Sequence, residues 1–127
     1  MKCYLAGPMR GYVDYNKPAF YDGEARLLAA GWAQVLNPAR MDDVLDGPQG
    51  LVEDGTPTAW RRYARRDVLA IIDQLRGEEG DALVLLPGWE ASTGANAEYL
   101  VAKWVGLQIL TIEEAIKWAA GAAKEGA

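Results

Sequence analysis

The sequence predicts an α/β protein with a flavodoxin- or Rossmann-like three-layer sandwich and a four- to five-stranded, mainly parallel sheet. Short apolar segments alternate along the chain with segments whose apolar residues recur at the period of an α-helix, the pattern of βαβ units. The run ALVLL at 82–86 is apolar throughout, as in a central parallel strand covered on both faces. The 127 residues, 50% of them hydrophobic, suit one core, so we expect a single domain over 1–127.

The predicted elements follow one another in strand–helix order. Strands are predicted over 2–6, 32–36, 82–86 and 107–111. Helices are predicted over 18–30, from 56 to about 76, from Ser92 or Thr93 to Gly106, and over 112–123. Right-handed crossovers would then place helices on both faces of the sheet.

The helix predicted from residue 56 has two contrasting faces. We expect Trp60 to face the core, together with the rest of its stripe, Ala64, Val68, Ile71, Ile72 and Leu75. The arginines at 61, 62, 65 and 66 are expected on a solvated face. Asp67 aligns with Tyr63 and Ile71 at the edge of the apolar stripe. From spacing alone, Asp67 is expected to be a partner of Arg66 or of a neighbouring Lys or Arg on a solvated face rather than a functional acid.

Three segments lie at the carboxyl ends of the predicted strands, where ligands bind in open parallel sheets: 7–15, 37–55 and 87–94. Residues 39–55 are predicted to form a loop long enough to suggest a function. In the first segment Arg10 stands between Gly7 and Gly11 and suits either an anion or an ordinary turn. Trp89, in the third, suits either stacking on a base or packing in the core.

The composition excludes several classes of function. The net charge of −5 argues against binding a nucleic acid polymer. The absence of histidine and the single Cys3 exclude a histidine-based triad and argue against a metal site, so acid–base chemistry must come from carboxylates, Tyr, Lys or Ser. No apolar run is long enough to span a membrane, and the first residues do not form a secretory signal. We therefore expect a cytoplasmic protein that needs no cofactor.

Glu98 is the most unusual residue of the third segment. Ser92 or Thr93 suits the N-cap of the helix that contains it, so Glu98 falls in the first two turns. It shares a stripe with Val101 and Val105, which are expected to face the core. Spacing alone favours a carboxylate stabilised by the helix dipole, which explains the position along the helix but explains the inward stripe less well than a functional carboxylate does.

Three motifs in this order resemble the nucleoside 2-deoxyribosyltransferase superfamily, which includes the 2′-deoxynucleoside 5′-monophosphate N-glycosidases. They are YLAGP at 4–8, Asp67 before VLAII, and Ser92-x-Gly94-x-x-x-Glu98 after an apolar strand. The form PGWExSxGAxxE looks like a bacterial and phage branch of that superfamily. The resemblance extends over about residues 2 to 112.

The resemblance implies a flavodoxin-like fold and three catalytic residues. Glu98 matches the nucleophile that attacks the anomeric carbon of 2-deoxyribose. Asp67 matches the aspartate that exchanges a proton with the departing base, and Tyr4 matches the tyrosine that orients the nucleophile. A serine six residues before the glutamate, here Ser92, is typical of the monophosphate hydrolases. The residues expected to bind substrate are Gly7, Met9, Arg10, Gly11, Trp89, Ser92 and Gly94.

These motifs predict an enzyme that hydrolyses the N-glycosidic bond of a 2′-deoxynucleoside 5′-monophosphate through a covalent deoxyribosyl–Glu98 intermediate. Base exchange between nucleosides and non-catalytic nucleotide binding remain alternatives. The expected partners are a small nucleotide or nucleoside and, as the resemblance implies, a second copy of the chain in a homodimer or higher homo-oligomer. Tyr63 and Tyr99 are expected to be exposed aromatics on the helices that would form that interface.

Overall fold

The protein is an α/β sandwich built on a four-stranded sheet in which every strand is parallel. The computed structural model describes residues 1–46 and 57–125. The strands are β1 (Lys2–Ala6), β2 (Gln34–Leu36), β3 (Ala82–Leu85) and β4 (Gln108–Thr111), in the order β2-β1-β3-β4. This arrangement confirms the predicted fold class.

Five helices connect and flank these strands: α1 (Lys17–Ala30), α2 (Pro38–Asp46), α3 (Pro57–Gln74), α4 (Thr93–Trp104) and α5 (Ile112–Glu125). Short 3-10 turns lie at Val13–Asn16, Gly77–Glu79 and Trp89–Ala91. Each predicted strand and helix is present in the described part of the chain, with ends that differ by a few residues.

Side chains alternate along β1 and divide the core into two clusters. Cys3 and Leu5 face α1 and α5 and pack with residues such as Phe20, Leu27 and Ala115. Tyr4 and Ala6 face the opposite layer and pack with residues of α3 and α4, among them Ala70, Ile71, Ala95 and Ala102. The layer formed by α3 and α4 is therefore the one that Tyr4 enters.

The chain reverses its direction across the sheet between β1 and β3. From β1 it passes through α1 to the edge strand β2, and from β2 it returns through α2 and α3 to β3, on the other side of β1. In open α/β sheets a crevice for ligands forms where two neighbouring strands send their connections in opposite directions. The residues that follow β1 and β3 therefore flank the expected crevice.

Two sequence predictions about the region between β2 and β3 are wrong. Pro38–Asp46 forms the helix α2, whereas the composition of 39–55 predicts a loop. The rest of that predicted loop, 47–55, lies outside the described residues, as does Thr56 at the predicted start of α3. Trp60 is 43% exposed rather than part of the core, and Ile72 of the same predicted stripe is 40% exposed.

Candidate active site

Tyr4 brings a polar group into the otherwise apolar layer between the sheet and α3 and α4. Its side chain is completely buried, and its hydroxyl donates a hydrogen bond to Oε2 of Glu98. Burial is the main cause that raises the pKa of this phenol well above its usual value, followed by the neighbouring charges of Glu98 and Asp67. Tyr4 therefore remains protonated and acts as a fixed hydrogen-bond donor at physiological pH.

Glu98 is placed against Tyr4 by the geometry of α4. It lies three residues after Ala95 and four before Ala102, both of which are buried in the core, so Glu98 shares their inward face. Burial raises the pKa of Glu98 to about 8, since a carboxylate is poorly solvated there. The hydrogen bond from Tyr4 opposes this rise, whereas the charge of Asp67 adds to it.

Asp67 reaches the same tyrosine hydroxyl from α3. Its pKa is raised, first by burial; Arg66 and a hydrogen bond with Tyr4 oppose the rise, and the charge of Asp42 adds to it. The structure thus brings Tyr4, Asp67 and Glu98 together from three elements that are far apart in sequence. Tyr4 has one proton to donate, so its hydroxyl satisfies both carboxyls only if one of them carries a proton of its own.

Arg66 joins the site although its sequence neighbourhood predicts a solvated arginine. Only 18% of its side chain is exposed. Its Nε donates to Oδ1 of Asp67 at 2.9 Å, and its terminal nitrogen Nη2 lies 2.8 Å from the same oxygen and 2.7 Å from Oδ1 of Asp42. The predicted solvated partnership between Asp67 and Arg66 is therefore a real contact, but one that is largely shielded from water.

Asp42 belongs to α2, which is fastened to α1 by polar contacts on both sides of this residue. Arg40 donates from Nε to Glu24 at 2.9 Å, and Glu24 is buried. The carboxylate of Asp43 lies 2.7 Å from Nζ of Lys17 and accepts a hydrogen bond from the Tyr21 hydroxyl. These contacts hold α2 on α1, whose Phe20 and Leu27 pack against the sheet.

The loop after β1 contains four of the predicted substrate-binding residues in different environments. Gly7 is buried, and a Cβ there would lie 2.8 Å from Cβ of Leu86, so close packing alone requires a glycine. Met9 is half-buried against the core cluster of α1 and α5. Gly11 is exposed with a φ of 80°, which favours glycine. The guanidinium carbon of Arg10 lies 3.6 Å from the ring centroid of Trp60.

The contact between Arg10 and Trp60 explains why Trp60 departs from its predicted position. The first turns of α3 lie at the carboxyl edge of the sheet, because α3 leads back to the start of β3. The ring of Trp60 meets the loop after β1 there and makes a cation–π contact instead of entering the core.

The loop after β3 and the first turn of α4 contain the other three predicted residues. Trp89 is half-buried and stacks on Tyr99 with ring centroids 5.2 Å apart. The hydroxyl oxygen of Ser92 accepts from the backbone N–H of Ala95 at 3.1 Å, so Ser92 is the N-cap of α4. Gly94 is exposed, with no atom within 4 Å of a Cβ built on it.

Asn96 fixes the shape of this second loop. Its side-chain amide donates to the carbonyl oxygens of Trp89, Glu90 and Ser92 at 3.3, 3.0 and 2.8 Å. Sequence reasoning did not identify Asn96, Asp42 or Arg66 as parts of the site. For Arg66 the signal is its predicted partnership with Asp67, and for Asn96 it is that asparagine near the start of a helix commonly bonds to nearby backbone. Asp42 gives no such signal.

In chemical terms the site pairs two carboxyls with a tyrosine hydroxyl and one arginine. One carboxyl, Glu98, has its Oε2 held by Tyr4, which leaves the other oxygen to react. The other, Asp67, is oriented by Arg66. Such a pair suits a reaction in which one carboxylate attacks a carbon atom while the other carboxyl transfers a proton.

Among the described residues no group of three or more His, Cys, Asp or Glu side chains is placed to hold a metal ion. None of the helices in the described ranges combines the length and the apolar character needed to cross a membrane.

Comparison with known proteins gives the chain a family. No curated protein and no solved structure is significantly similar to it. A family model described as "Domain of unknown function (DUF4406)" matches residues 1–111, which extend from β1 to the end of β4 and include Tyr4, Asp42, Asp67 and Glu98. The chain therefore belongs to the DUF4406 family.

Proposed function

We propose that this protein hydrolyses the N-glycosidic bond of a 2′-deoxynucleoside 5′-monophosphate, with Glu98 as the nucleophile. The observation that carries the proposal is the hydrogen bond from the buried Tyr4 hydroxyl to Glu98, with Asp67 at the same hydroxyl. A carboxylate whose role was only to complement the helix dipole would face solvent, whereas Glu98 is turned into the core layer against a tyrosine.

In the first step the free carboxylate oxygen of Glu98 attacks the anomeric carbon of the deoxyribose. The bond between this carbon and the base nitrogen breaks, its electron pair goes to the base, and Asp67 donates its proton to the base. An ester links Glu98 to the sugar. This is the chemistry of retaining glycosidases, with a base as the leaving group.

In the second step water attacks the same carbon. Asp67, now a carboxylate, accepts a proton from the water, and the ester bond to Glu98 breaks with its electron pair returning to the carboxylate. The products are the free base and 2-deoxyribose 5-phosphate, and both carboxyls regain their initial protonation states.

The raised pKa values of both carboxyls support a proton that is shared at the site. Because Glu98 and Asp67 face one hydroxyl, they titrate as a coupled pair. The pKa of Asp67 lies above its usual value and that of Glu98 is raised to about 8, so one proton remains on the pair around neutral pH. The proposed reaction requires this proton to move from Glu98 to Asp67, which leaves on Glu98 a negative charge that the hydrogen bond from Tyr4 stabilises.

The start of α4 supports a 5′-phosphate on the substrate. Ser92 uses its hydroxyl oxygen to cap the helix, which leaves its O–H as a donor. Gly94 adds no side chain over the helix N-terminus, where backbone N–H groups favour an anion. Arg10 lies in the adjacent loop.

We include a homodimer or higher homo-oligomer in the proposal. α4 exposes Leu100 and Trp104, with relative exposures of 65% and 84%, and α3, which packs beside it, exposes Leu69 and Ile72. Neighbouring apolar side chains of this size are characteristic of a surface that associates with another protein.

The test is to incubate the protein with each of the common deoxynucleoside 5′-monophosphates and to measure the free base by chromatography. Base release by the wild-type protein, absent with Glu98→Gln, supports the proposal. A matched control is Glu90→Gln, which removes an exposed glutamate of the preceding loop and should leave the rate unchanged. No base release from any nucleotide would refute the proposal. Release only when a second base is present would identify base exchange instead.

A further inference from the structure

The contacts of Arg66 give a role to a residue that no motif indicates. We propose that Asp42 is a positioning residue of the site, which holds the Arg66 guanidinium in place so that Asp67 is aimed at the Tyr4 hydroxyl. The catalytic consequence rests on the proposed function, whereas the effect on Asp67 itself does not.

A single guanidinium nitrogen is shared between the two aspartates. Nη2 of Arg66 lies 2.7 Å from Oδ1 of Asp42 and 2.8 Å from Oδ1 of Asp67. The side chains of Arg66, Asp42 and Asp67 are only 18%, 20% and 18% exposed. Charges this poorly exposed to water are screened less than surface pairs, so removal of one partner changes the state of the others.

Asp42 is delivered to this position by an anchored helix. Residues on both sides of it attach α2 to α1, through the contacts of Arg40 with Glu24 and of Asp43 with Lys17 and Tyr21. α3 carries Arg66 together with Asp67 and Tyr63, whose ring centroid lies 5.2 Å from Cζ of Arg66, so two contacts within α3 already limit where the arginine side chain points. The carboxylate of Asp42 limits that direction further, from a different element.

The charge of Asp42 also controls how strongly Arg66 binds Asp67. The groups that act on Asp67 are Tyr4 from β1, Glu98 from α4, Arg66 from α3 and Asp42 from α2. Arg66 favours the ionised form of Asp67, whereas Asp42 disfavours it. Burial is the main cause of the raised pKa of Asp67, and the charge of Asp42, which shares the arginine with it, adds to the rise.

Removal of the Asp42 charge should change the pKa of Asp67 in a defined direction. In Asp42→Asn the arginine pairs with Asp67 alone and the repulsion from Asp42 is gone, so both effects lower the pKa of Asp67. Asp67 then loses its proton at a pH at which the wild-type residue still holds it. If the proposed reaction operates, kcat falls by about tenfold to a hundredfold, as for other small errors of placement, while KM changes little.

The experiment is a titration of the side-chain carboxyl of Asp67 by ¹³C NMR in the free protein. It compares the wild type with Asp42→Asn, with Asp42→Glu, which keeps the charge, and with Asp43→Asn, which alters the adjacent residue and its contacts to α1 but not the contact to Arg66. We expect a clear decrease of the Asp67 pKa in Asp42→Asn, a smaller decrease in Asp43→Asn, which weakens one of the attachments of α2 to α1, and no decrease in Asp42→Glu. If Asp42→Asn does not fold, as shown by the absence of a cooperative thermal transition, Asp42→Ser is used in its place.

An unchanged titration of Asp67 in Asp42→Asn would overturn the proposal, and so would an equal decrease in Asp43→Asn, which would indicate a general loosening of α2. The titration needs no substrate. Failure of the proposed function, seen as no base release by the wild type, is therefore distinguished from failure of the positioning role.

Discussion

Tyr4 is the residue at which the core and the candidate site meet. Its ring belongs to the cluster that joins the sheet to α3 and α4, while its hydroxyl bonds to Glu98. Burial of two carboxyls beside that ring destabilises the folded protein whenever both are ionised, because burial raises both pKa values. Such a cost is common at sites where reactivity depends on poorly solvated groups.

The variant Glu98→Gln allows the effect of the buried carboxyl on stability to be measured separately from its effect on catalysis. The amide keeps the shape of the side chain but provides no nucleophile, so we expect base release to be lost while nucleotide binding persists. Stability provides a second readout. The pKa of Glu98 rises from 4.5 to about 8 on folding, so its protonated form contributes stability that is complete below 4.5 and is lost as the pH rises through about 8.

As the pH increases from 4.5 to about 8, the wild type should lose stability relative to Glu98→Gln, by a free energy of unfolding on the order of a few kcal/mol. The melting temperature of the variant should therefore rise relative to that of the wild type. Thermal denaturation at several pH values measures the difference. A constant difference at all pH values would show that Glu98 is not a buried carboxyl with a raised pKa.

The variant Tyr4→Phe should change the pH dependence of kcat/KM. The hydrogen bond from Tyr4 lowers the pKa of Glu98, so its loss raises that pKa further. Since activity requires one proton on the pair, kcat/KM of the wild type should fall as the pH rises through about 8, and in Tyr4→Phe this limb should move to higher pH with a reduced maximum. Tyr15→Phe, at an exposed tyrosine, should retain the wild-type profile. A limb that stays in place or moves to lower pH contradicts the assigned hydrogen bond.

At the scale of secondary structure, most elements are predictable because their signals are local. The fully apolar run 82–86 contains β3, which lies in the interior of the sheet, and the glycines at 31 and 106 follow the ends of α1 and α4. The helix α2 was missed because Asp and Pro residues suggested a loop, although the proline occupies the first helical position, where it is tolerated.

The predictable part of the site is the part carried by motifs. Tyr4, Asp67 and Glu98 follow from a resemblance and meet in the structure. A partnership of Asp67 with Arg66 is predicted on a solvated face, but neither the shielding of this pair from water nor its contact with Asp42 follows from a local pattern. Asp42 meets Arg66 only through the packing of α2. The periodicity of α3 predicts that Trp60 faces the core, but it carries no information about the loop after β1, which Trp60 contacts instead.

The N-terminus of α4 carries the prediction about phosphate. Charge-assisted bonds to a phosphate contribute about 1.5 to 3 kcal/mol each, so kcat/KM for a deoxynucleoside monophosphate should exceed that for the matching nucleoside by about 100-fold. Ser92→Asp should remove the preference by placing a negative charge beside the phosphate. Aspartate remains a good N-cap, so the helix should persist.

Ser92→Asn is the matched control, since it preserves the cap without a charge and should keep most of the preference. The measurement is kcat/KM for both substrates with all three proteins. Equal efficiency of the wild type on nucleoside and nucleotide would show that Ser92 is only an N-cap and would favour the base-exchange reaction.

At the scale of the whole molecule, the topology explains where chemistry is possible. The connections of β1 and β3 leave in opposite directions, so the loops after these strands border one crevice. α3 and α4 pack on the same face of the sheet and place Asp67 and Glu98 on either side of Tyr4. The same two helices turn apolar side chains outward.

That outward surface carries the final prediction, a homodimer formed through α3 and α4. The sequence-based choice of exposed aromatics was wrong, since Tyr63 and Tyr99 are half-buried, but Trp104 is 84% exposed and Leu100 65%. Burial of these side chains, with Leu69 and Ile72, against a second copy would provide the apolar centre of an interface, for which about 800 Å² per partner is typical. Sedimentation should give a dimer at micromolar concentration, and Trp104→Glu should give a monomer, because a charge at the centre of such a surface is poorly solvated. Val44→Glu is the matched control, since Val44 is 72% exposed on α2 and lies outside the proposed interface. A wild-type protein that sediments as a monomer, or a Trp104→Glu variant that remains dimeric, would exclude this interface.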